Sequence, residues 1–158
     1  MGILGFTHVG ICVSDLERSR RFYQDVFGFA PVSELAIDGG PTEQMMELDD
    51  LELRCLFLER DGVRIELMHQ QTPGTVGSGE ATPMNRRGLT HFAFRVDDLD
   101  ATLGRIEAAG GRLLEQTRIA NPAFQAKVIC VLDPDGVRLE LVEAPGDPFE
   151  PLGTPAGA

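Results

Sequence analysis

A seven-residue block occurs twice in this chain, and that repetition constrains the fold more than any other feature. Asp61-Gly62-Val63-Arg64-Ile65-Glu66-Leu67 recurs as Asp135-Gly136-Val137-Arg138-Leu139-Glu140-Leu141, identical at six of seven positions, at an offset of 74. Upstream, Thr7-His8 with Val13-Ser14-Asp15-Leu16 recurs as Thr90-His91 with Val96-Asp97-Asp98-Leu99, at an offset of 83. The blocks keep the same order in both halves. The first half carries nine more residues between its His and its Glu (58 against 49). Two repeated blocks in one order mark a duplicated unit, with modules of about 65 and 55 residues.

Each module reads as βαβββ. In the first, β-branched residues predict a strand over 6–13. Asp15 is the expected N-cap of a helix over 16–27, with Leu16, Ser19, Phe22, Tyr23 and Val26 at helical spacing and Gly28 as its stop. Strands are expected at 31–37, at 44–58 in one or two pieces, and at 63–68 after an Asp-Gly turn. The second module repeats this with a strand at 89–96, a helix at 99–109 and a stop at Gly110-Gly111. Its further strands are expected at 112–117, 127–132 and 137–142. The fold class is therefore α+β. Residues 1–143 are read as one domain of two tandem modules, 6–68 and 89–143. The span 69–88, rich in Gly, Thr, Pro and Ser, reads as a linker, and 144–158 as a Pro/Gly-rich tail.

Charge narrows the partners. Fourteen Lys+Arg against 25 Asp+Glu give a net charge of −11 and a pI near 4.6. Such a surface repels phosphate backbones and anionic bilayers, which argues against nucleic acid and membranes. No apolar run approaches the roughly 18 residues of a membrane span. Residues 1–6 show neither a basic n-region nor a cleavage site, so no signal peptide is expected. Three cysteines without a CxxC pattern suit reduced, mostly buried thiols in a cytoplasmic protein.

Strand parity then selects four residues. Successive side chains alternate between sheet faces. Val9, Ile11 and Val13 belong to the face the helix covers, and His8, Gly10 and Cys12 to the other. Phe92, Phe94 and Val96 likewise oppose His91, Ala93 and Arg95. In the closing strands Ile65 and Leu67, and Leu139 and Leu141, point to the core. Glu66 and Glu140 lie opposite, beside Arg64 and Arg138. Each half therefore presents one His and one Glu on the face its helix leaves open. A lone strand histidine is ordinarily a hydrogen-bonded structural residue, and a lone Glu beside Arg an ion pair. Recurrence of both at matched positions favours a divalent metal site built from His8, Glu66, His91 and Glu140. Imidazole and carboxylate suit Zn²⁺, Ni²⁺, Co²⁺, Fe²⁺ or Mn²⁺, and two carboxylates neutralise such an ion. His69 has no counterpart, since Glu143 holds its offset, and is assigned a structural role. Tyr23, on the helix, is assigned to the core. Met45, Met46, Phe57 and Met68 are placed on the open face, as core or as lining of an apolar pocket.

These paired modules, each opened by His and closed by an [Ile/Leu]-Glu-Leu strand, resemble the vicinal oxygen chelate superfamily. The Phe22-Tyr23…Phe27-Gly28 helix end and the Asp133-Pro134-Asp135-Gly136 turn before Glu140-Leu141 carry the likeness too. That group includes glyoxalase I, methylmalonyl-CoA epimerase, extradiol dioxygenases, and fosfomycin- and bleomycin-resistance proteins. The resemblance covers residues 6–143. It implies a cleft between the modules' sheets, a divalent ion held there, and a substrate chelating that ion through neighbouring oxygens. It also implies a homodimer.

The His/Glu/His/Glu set looks most like bacterial glyoxalase I, which implies Glu140 or Glu66 as the base that moves a proton next to a carbonyl. An epimerase is the near alternative, with Glu47 as a possible extra carboxylate or a simple exposed strand residue. An extradiol-type Fe(II) dioxygenase needs only His8, His91 and Glu140. A non-catalytic drug-binding or resistance protein needs no metal ligands. The expectation is thus a metal-dependent lyase or isomerase acting on a small-molecule substrate.

Overall fold

The computed structural model describes residues 2–122 and 125–146. The chain divides into two compact units, up to Glu80 and from Ala81 onward.

In the first unit the sheet order is β1-β4-β3-β2, with β1 (Val9–Cys12), β2 (Ala30–Asp38), β3 (Glu52–Arg60) and β4 (Val63–Thr72). β1 runs parallel to β4, and the other pairs are antiparallel. Asp15 starts α1 (Leu16–Arg21), its carboxylate accepting the Arg18 N–H at 3.0 Å as an N-cap does. The helix continues through a π-wound turn, Phe22–Val26, and the chain leaves it at Gly28, whose φ of +69° suits glycine. Ser19, Phe22, Tyr23 and Val26 are buried, as their spacing requires, and so are Ile11, Val13, Ile65 and Leu67 on the sheet. Phe22 and Tyr23 meet edge to face with centroids 5.4 Å apart. Asp61 and Gly62, at φ 52° and 75°, form the primed turn that joins β3 to β4.

The second unit repeats the plan. Its order is β5-β9-β8-β6, with β5 (Phe92–Val96), β6 (Arg112–Leu113), β8 (Ala126–Leu132) and β9 (Arg138–Glu143), while β7 (Ile119–Asn121) also pairs with β8. β5 is parallel to β9. Asp98 caps α3 (Leu99–Ala108) by accepting the Ala101 N–H at 2.9 Å, and Leu99, Leu103 and Ile106 are buried. The α+β class and the two mixed sheets are those the sequence leads one to expect.

Several local readings change. The strand expected over 44–58 begins only at Glu52, because residues 41–46 form a helix, α2 (Pro41–Met46). Pro41 takes the first helical position, where its missing N–H costs nothing. The Glu43 carboxylate then accepts the Leu51 N–H at 3.0 Å, fastening the return to β3. Glu47 is therefore not a strand residue; it caps α2 with φ 56°. Thirteen residues separate β2 from β3, and four separate β7 from β8. The difference equals the nine-residue excess of the first half, so α2 and its flanks are what that half adds.

In the second unit the expected 112–117 strand is cut short by a 3-10 turn, Glu115–Thr117. β4 runs to Thr72, four residues into the span read as linker. Cys12 is exposed, against the expectation for the thiols, while Cys55 is buried. Residues 147–158 of the expected tail lie outside the described residues. No helix among the described residues is long and apolar enough to cross a membrane.

Candidate metal centre

Both histidines stand one residue ahead of a parallel strand. His8 precedes β1 and His91 precedes β5. Across the parallel ladders Gly10 is opposite Glu66, and Ala93 is opposite Glu140. Each His thus sits two positions before the partner of its Glu, on the same face. The side chains close that diagonal. His8 Nε2 lies 3.1 Å from Glu66 Oε2, and His91 Nε2 lies 3.4 Å from Glu140 Oε2. The side chains are 36% and 14% exposed in the first pair and 27% and 23% in the second, so water reaches both. Among the described residues no group of three or more His, Cys, Asp or Glu is assembled. The structure pairs His8 with Glu66 in the first unit and His91 with Glu140 in the second.

The family model for the Glyoxalase/Bleomycin resistance protein/Dioxygenase superfamily matches residues 5–141. The chain belongs to this superfamily. It is 30% identical over 142 residues to a lactoylglutathione lyase of Haemophilus influenzae, covering 86% of this chain and 90% of that protein. It is 28% identical over 107 residues to an ethylmalonyl-CoA/methylmalonyl-CoA epimerase of Cereibacter sphaeroides, covering 68% and 72%. A glyoxalase-family protein from Bacillus cereus superposes with a TM-score of 0.78 at 20% identity, covering 92% of this chain and 97% of that one, a likeness of fold.

The geometry of each donor pair can be set against that of a bound ion. Two donors about 2.1 Å from a common metal lie about 3.0 Å apart at a right angle and about 3.4 Å apart at the tetrahedral angle. The 3.1 Å separation in the first unit and the 3.4 Å separation in the second each suit two neighbouring positions around an ion. The imidazoles are also held by their other sides. The Thr90 hydroxyl lies 2.9 Å from His91 Nδ1, which leaves Nε2 as the atom turned to Glu140. The His8 ring packs edge to face on Phe57, centroids 5.4 Å apart. Each pair thus offers two donor atoms of the types a divalent ion takes, with no third His, Cys, Asp or Glu grouped with them to hold an ion among the described residues.

The two halves differ around their pairs. Phe57 is opposite Glu66 and Cys55 opposite Met68, so these four share the open face. The matching strand pair of the second unit places Cys130 opposite Glu140 and Val128 opposite Val142. Leu51, Leu53 and Cys55 form a buried apolar cluster, packed by Met46, Leu48, Phe57 and Met68. Of the four residues expected on this face, Met45 instead points outward, 73% exposed on α2. Gly10 matters here for its lack of a side chain. A Cβ would sit 2.8 Å from Met68 Cε and 4.0 Å from Glu66 Oε2, so Met68 lies across β1 close to the carboxylate.

Cys55 is a neighbour of the site that sequence reasoning missed. Burial, then a hydrogen bond to Glu66 and the charge of that carboxylate, push its thiol up to about 12. Alternation with Phe57, which the sequence places on the open face, is the signal that could have found it. A thiolate-seeking reagent at pH 8 is expected to label exposed Cys12 in the native protein and Cys55 only after unfolding. The raised value also fixes a sign. An unfolded Cys55 ionises near 9.0 while the folded one stays neutral to about 12, so its stabilising contribution falls as pH rises through that window. Mass spectrometry of alkylated peptides checks the first outcome, and alkaline unfolding compared with Cys55→Ala checks the second.

The remaining assignments are structural. His69 Nδ1 lies 3.1 Å from the Val13 carbonyl. Glu143, at the equivalent offset, accepts the Leu99 N–H at 2.9 Å and the Lys127 ammonium at 2.6 Å. Both tie the end of a closing strand to the entry of the helix beside it. Tyr23 is 1% exposed and belongs to the core. Arg64 pairs with Glu59, not with Glu66.

Proposed function

We propose that this protein is a divalent-metal-dependent lyase or isomerase that moves a proton next to a carbonyl of a small oxygenated substrate. His8, Glu66, His91 and Glu140 are its metal ligands in this reading. The observation that carries it is the recurrence of one His–Glu pair at the same register in both halves, each with a separation suited to neighbouring donors. When bound, the ion would supply Lewis-acid stabilisation of negative charge on a substrate oxygen.

The protein's own groups do the rest. Oε2 of each glutamate faces an imidazole, which leaves Oε1 as the oxygen that can take a proton. Glu66 also receives the Cys55 thiol, so Glu140 is the less encumbered base. Thr90 holds the ring of His91 and Phe57 that of His8, which fixes the donors before substrate arrives. The relatives named lactoylglutathione lyase and ethylmalonyl-CoA/methylmalonyl-CoA epimerase support a lyase or isomerase. The reading includes a homodimer and a cytoplasmic location, the latter in keeping with three cysteines that form no CxxC pattern.

Metal analysis of protein purified without chelators, followed by incubation with candidate hydroxy- and oxo-substrates in D₂O, tests this. Bound divalent ion, with deuterium entering next to a carbonyl, is expected. Protein that holds no ion even after reconstitution overturns the metal reading and favours a binding protein. Oxygen uptake with catechols in place of deuterium exchange overturns the proton-transfer reading in favour of a dioxygenase.

A further inference from the structure

The two halves place an arginine two residues before the closing glutamate, and those arginines have different surroundings. Arg64, in the first unit, is satisfied by its own sheet. Its Nη2 and Nε lie 2.6 and 3.2 Å from Glu59 Oε2, the residue opposite on β3. In the second unit the residue opposite Arg138 on β8 is the apolar Leu132; the offset of 74 puts Asp133 at the place of Glu59, and that carboxylate is otherwise engaged. It is fully buried and accepts the N–H groups of Asp135 and Val137 at 2.9 and 2.8 Å, holding the turn before β9. Arg138 is left with one hydrogen bond, from Nη2 to the Thr82 carbonyl at 3.2 Å. Its Nε is buried and has no acceptor, the sole such side-chain atom among the described residues.

An uncompensated cationic donor is costly in a folded protein, and guanidinium groups are suited to oxyanions because their N–H groups form a planar fork. The location gives the donor a purpose. Arg138 and Glu140 alternate with buried Leu139 and Leu141, so they share the open face of β9. His91 and Arg138 each stand one position before the Phe92–Leu139 pair, at the start of adjacent parallel strands. The arginine is thus on the same face and at the same end of the sheet as the His91–Glu140 pair.

We infer that Arg138 is a substrate-binding residue that receives an oxyanion, a carboxylate or phosphate group, carried by the substrate. This rests on the metal-dependent reading above and names the substrate class within it: a small oxygenated compound bearing an anionic group. On binding, the guanidinium turns from its orphaned position and donates Nε–H and an Nη–H to the anion. No other residue type at this position offers that pair of donors. In a chain of net charge −11, such a local cation is also what lets an anion approach.

The test uses metal-free full-length protein, so that its result is separate from metal binding. Glycolate and inorganic phosphate are each titrated at constant ionic strength. The Arg138 Nε–H resonance, assigned by its loss in Arg138→Lys, is followed by ¹⁵N NMR, and affinity is measured by calorimetry. The resonance is expected to shift with one of the two anions. That anion should bind at least about tenfold more weakly to Arg138→Gln and Arg138→Lys, and within about twofold of normal to Arg64→Gln. Preference for glycolate assigns a carboxylate, and preference for phosphate a phosphoryl group. A resonance that neither anion moves, or an Arg138→Lys protein that is folded by circular dichroism and binds as tightly as wild type, overturns the inference. A parent protein that takes up no divalent ion overturns the metal reading, a result distinguishable from failure of the anion titrations because those are run without metal.

Discussion

Glu140→Gln is expected to slow proton exchange in the metal-loaded protein by about 10²- to 10⁴-fold, the usual contribution of a positioned general base. The substitution keeps the size of the side chain and one acceptor oxygen beside His91, 3.4 Å away in the wild type, but removes the basicity. Glu140 belongs to β9 through its backbone, and the buried Leu139 and Leu141 on either side are untouched, so the fold should persist. Deuterium wash-in followed by NMR measures the rate, and metal content is measured on the same sample. Glu66→Gln is the comparison. Its carboxylate already accepts the Cys55 thiol, so the reading assigns it more to holding the ion than to moving the proton. A Glu140→Gln protein with full metal content and an unchanged rate would remove Glu140 as the base.

Phe22→Ala is expected to cost about 3–5 kcal/mol of unfolding free energy. Phe22 has no exposed surface and meets Tyr23 and Phe27 edge to face, at 5.4 and 5.6 Å between centroids. It also opens the π-wound turn, so the surrounding backbone is not free to collapse into the void. Domains of ordinary stability hold about 5–15 kcal/mol in all, which makes this loss a large fraction. Urea unfolding followed by circular dichroism gives the value. Leu35→Ala, on β2 and 47% exposed, should stay within about 0.5 kcal/mol and serves as the control.

The residues that hold the fold were legible because they obey two periods. The helix spacing of Ser19, Phe22, Tyr23 and Val26 and the strand alternation of Ile65 and Leu67 are local properties, and duplication supplied each of them twice. The same alternation puts His8 and Glu66 on one face, and His91 and Glu140 on one face, from the sequence alone. What stayed hidden depended on the nine inserted residues. Met45-Met46 has no period of its own, and Gly39-Gly40-Pro41 reads as a turn until Pro41 is recognised as a first helical residue. Arg64 and Arg138 are identical in sequence and differ only in what the neighbouring strand or turn already uses. That difference requires the three-dimensional hydrogen bonds of Glu59 and Asp133.

Alternation along β4 and β9 buries Ile65, Leu67, Leu139 and Leu141 and leaves Glu66 and Glu140 on the other face. Substitution at Glu66 or Glu140 exchanges a polar group without touching the leucines beside it. Duplicated halves extend this freedom, since the surroundings of the two pairs already differ, Phe57 lying opposite Glu66 and Cys130 opposite Glu140. A lineage built this way can try new reactions at small cost to folding, and a superfamily whose named relatives include a lyase and an epimerase is the historical record such an architecture would leave.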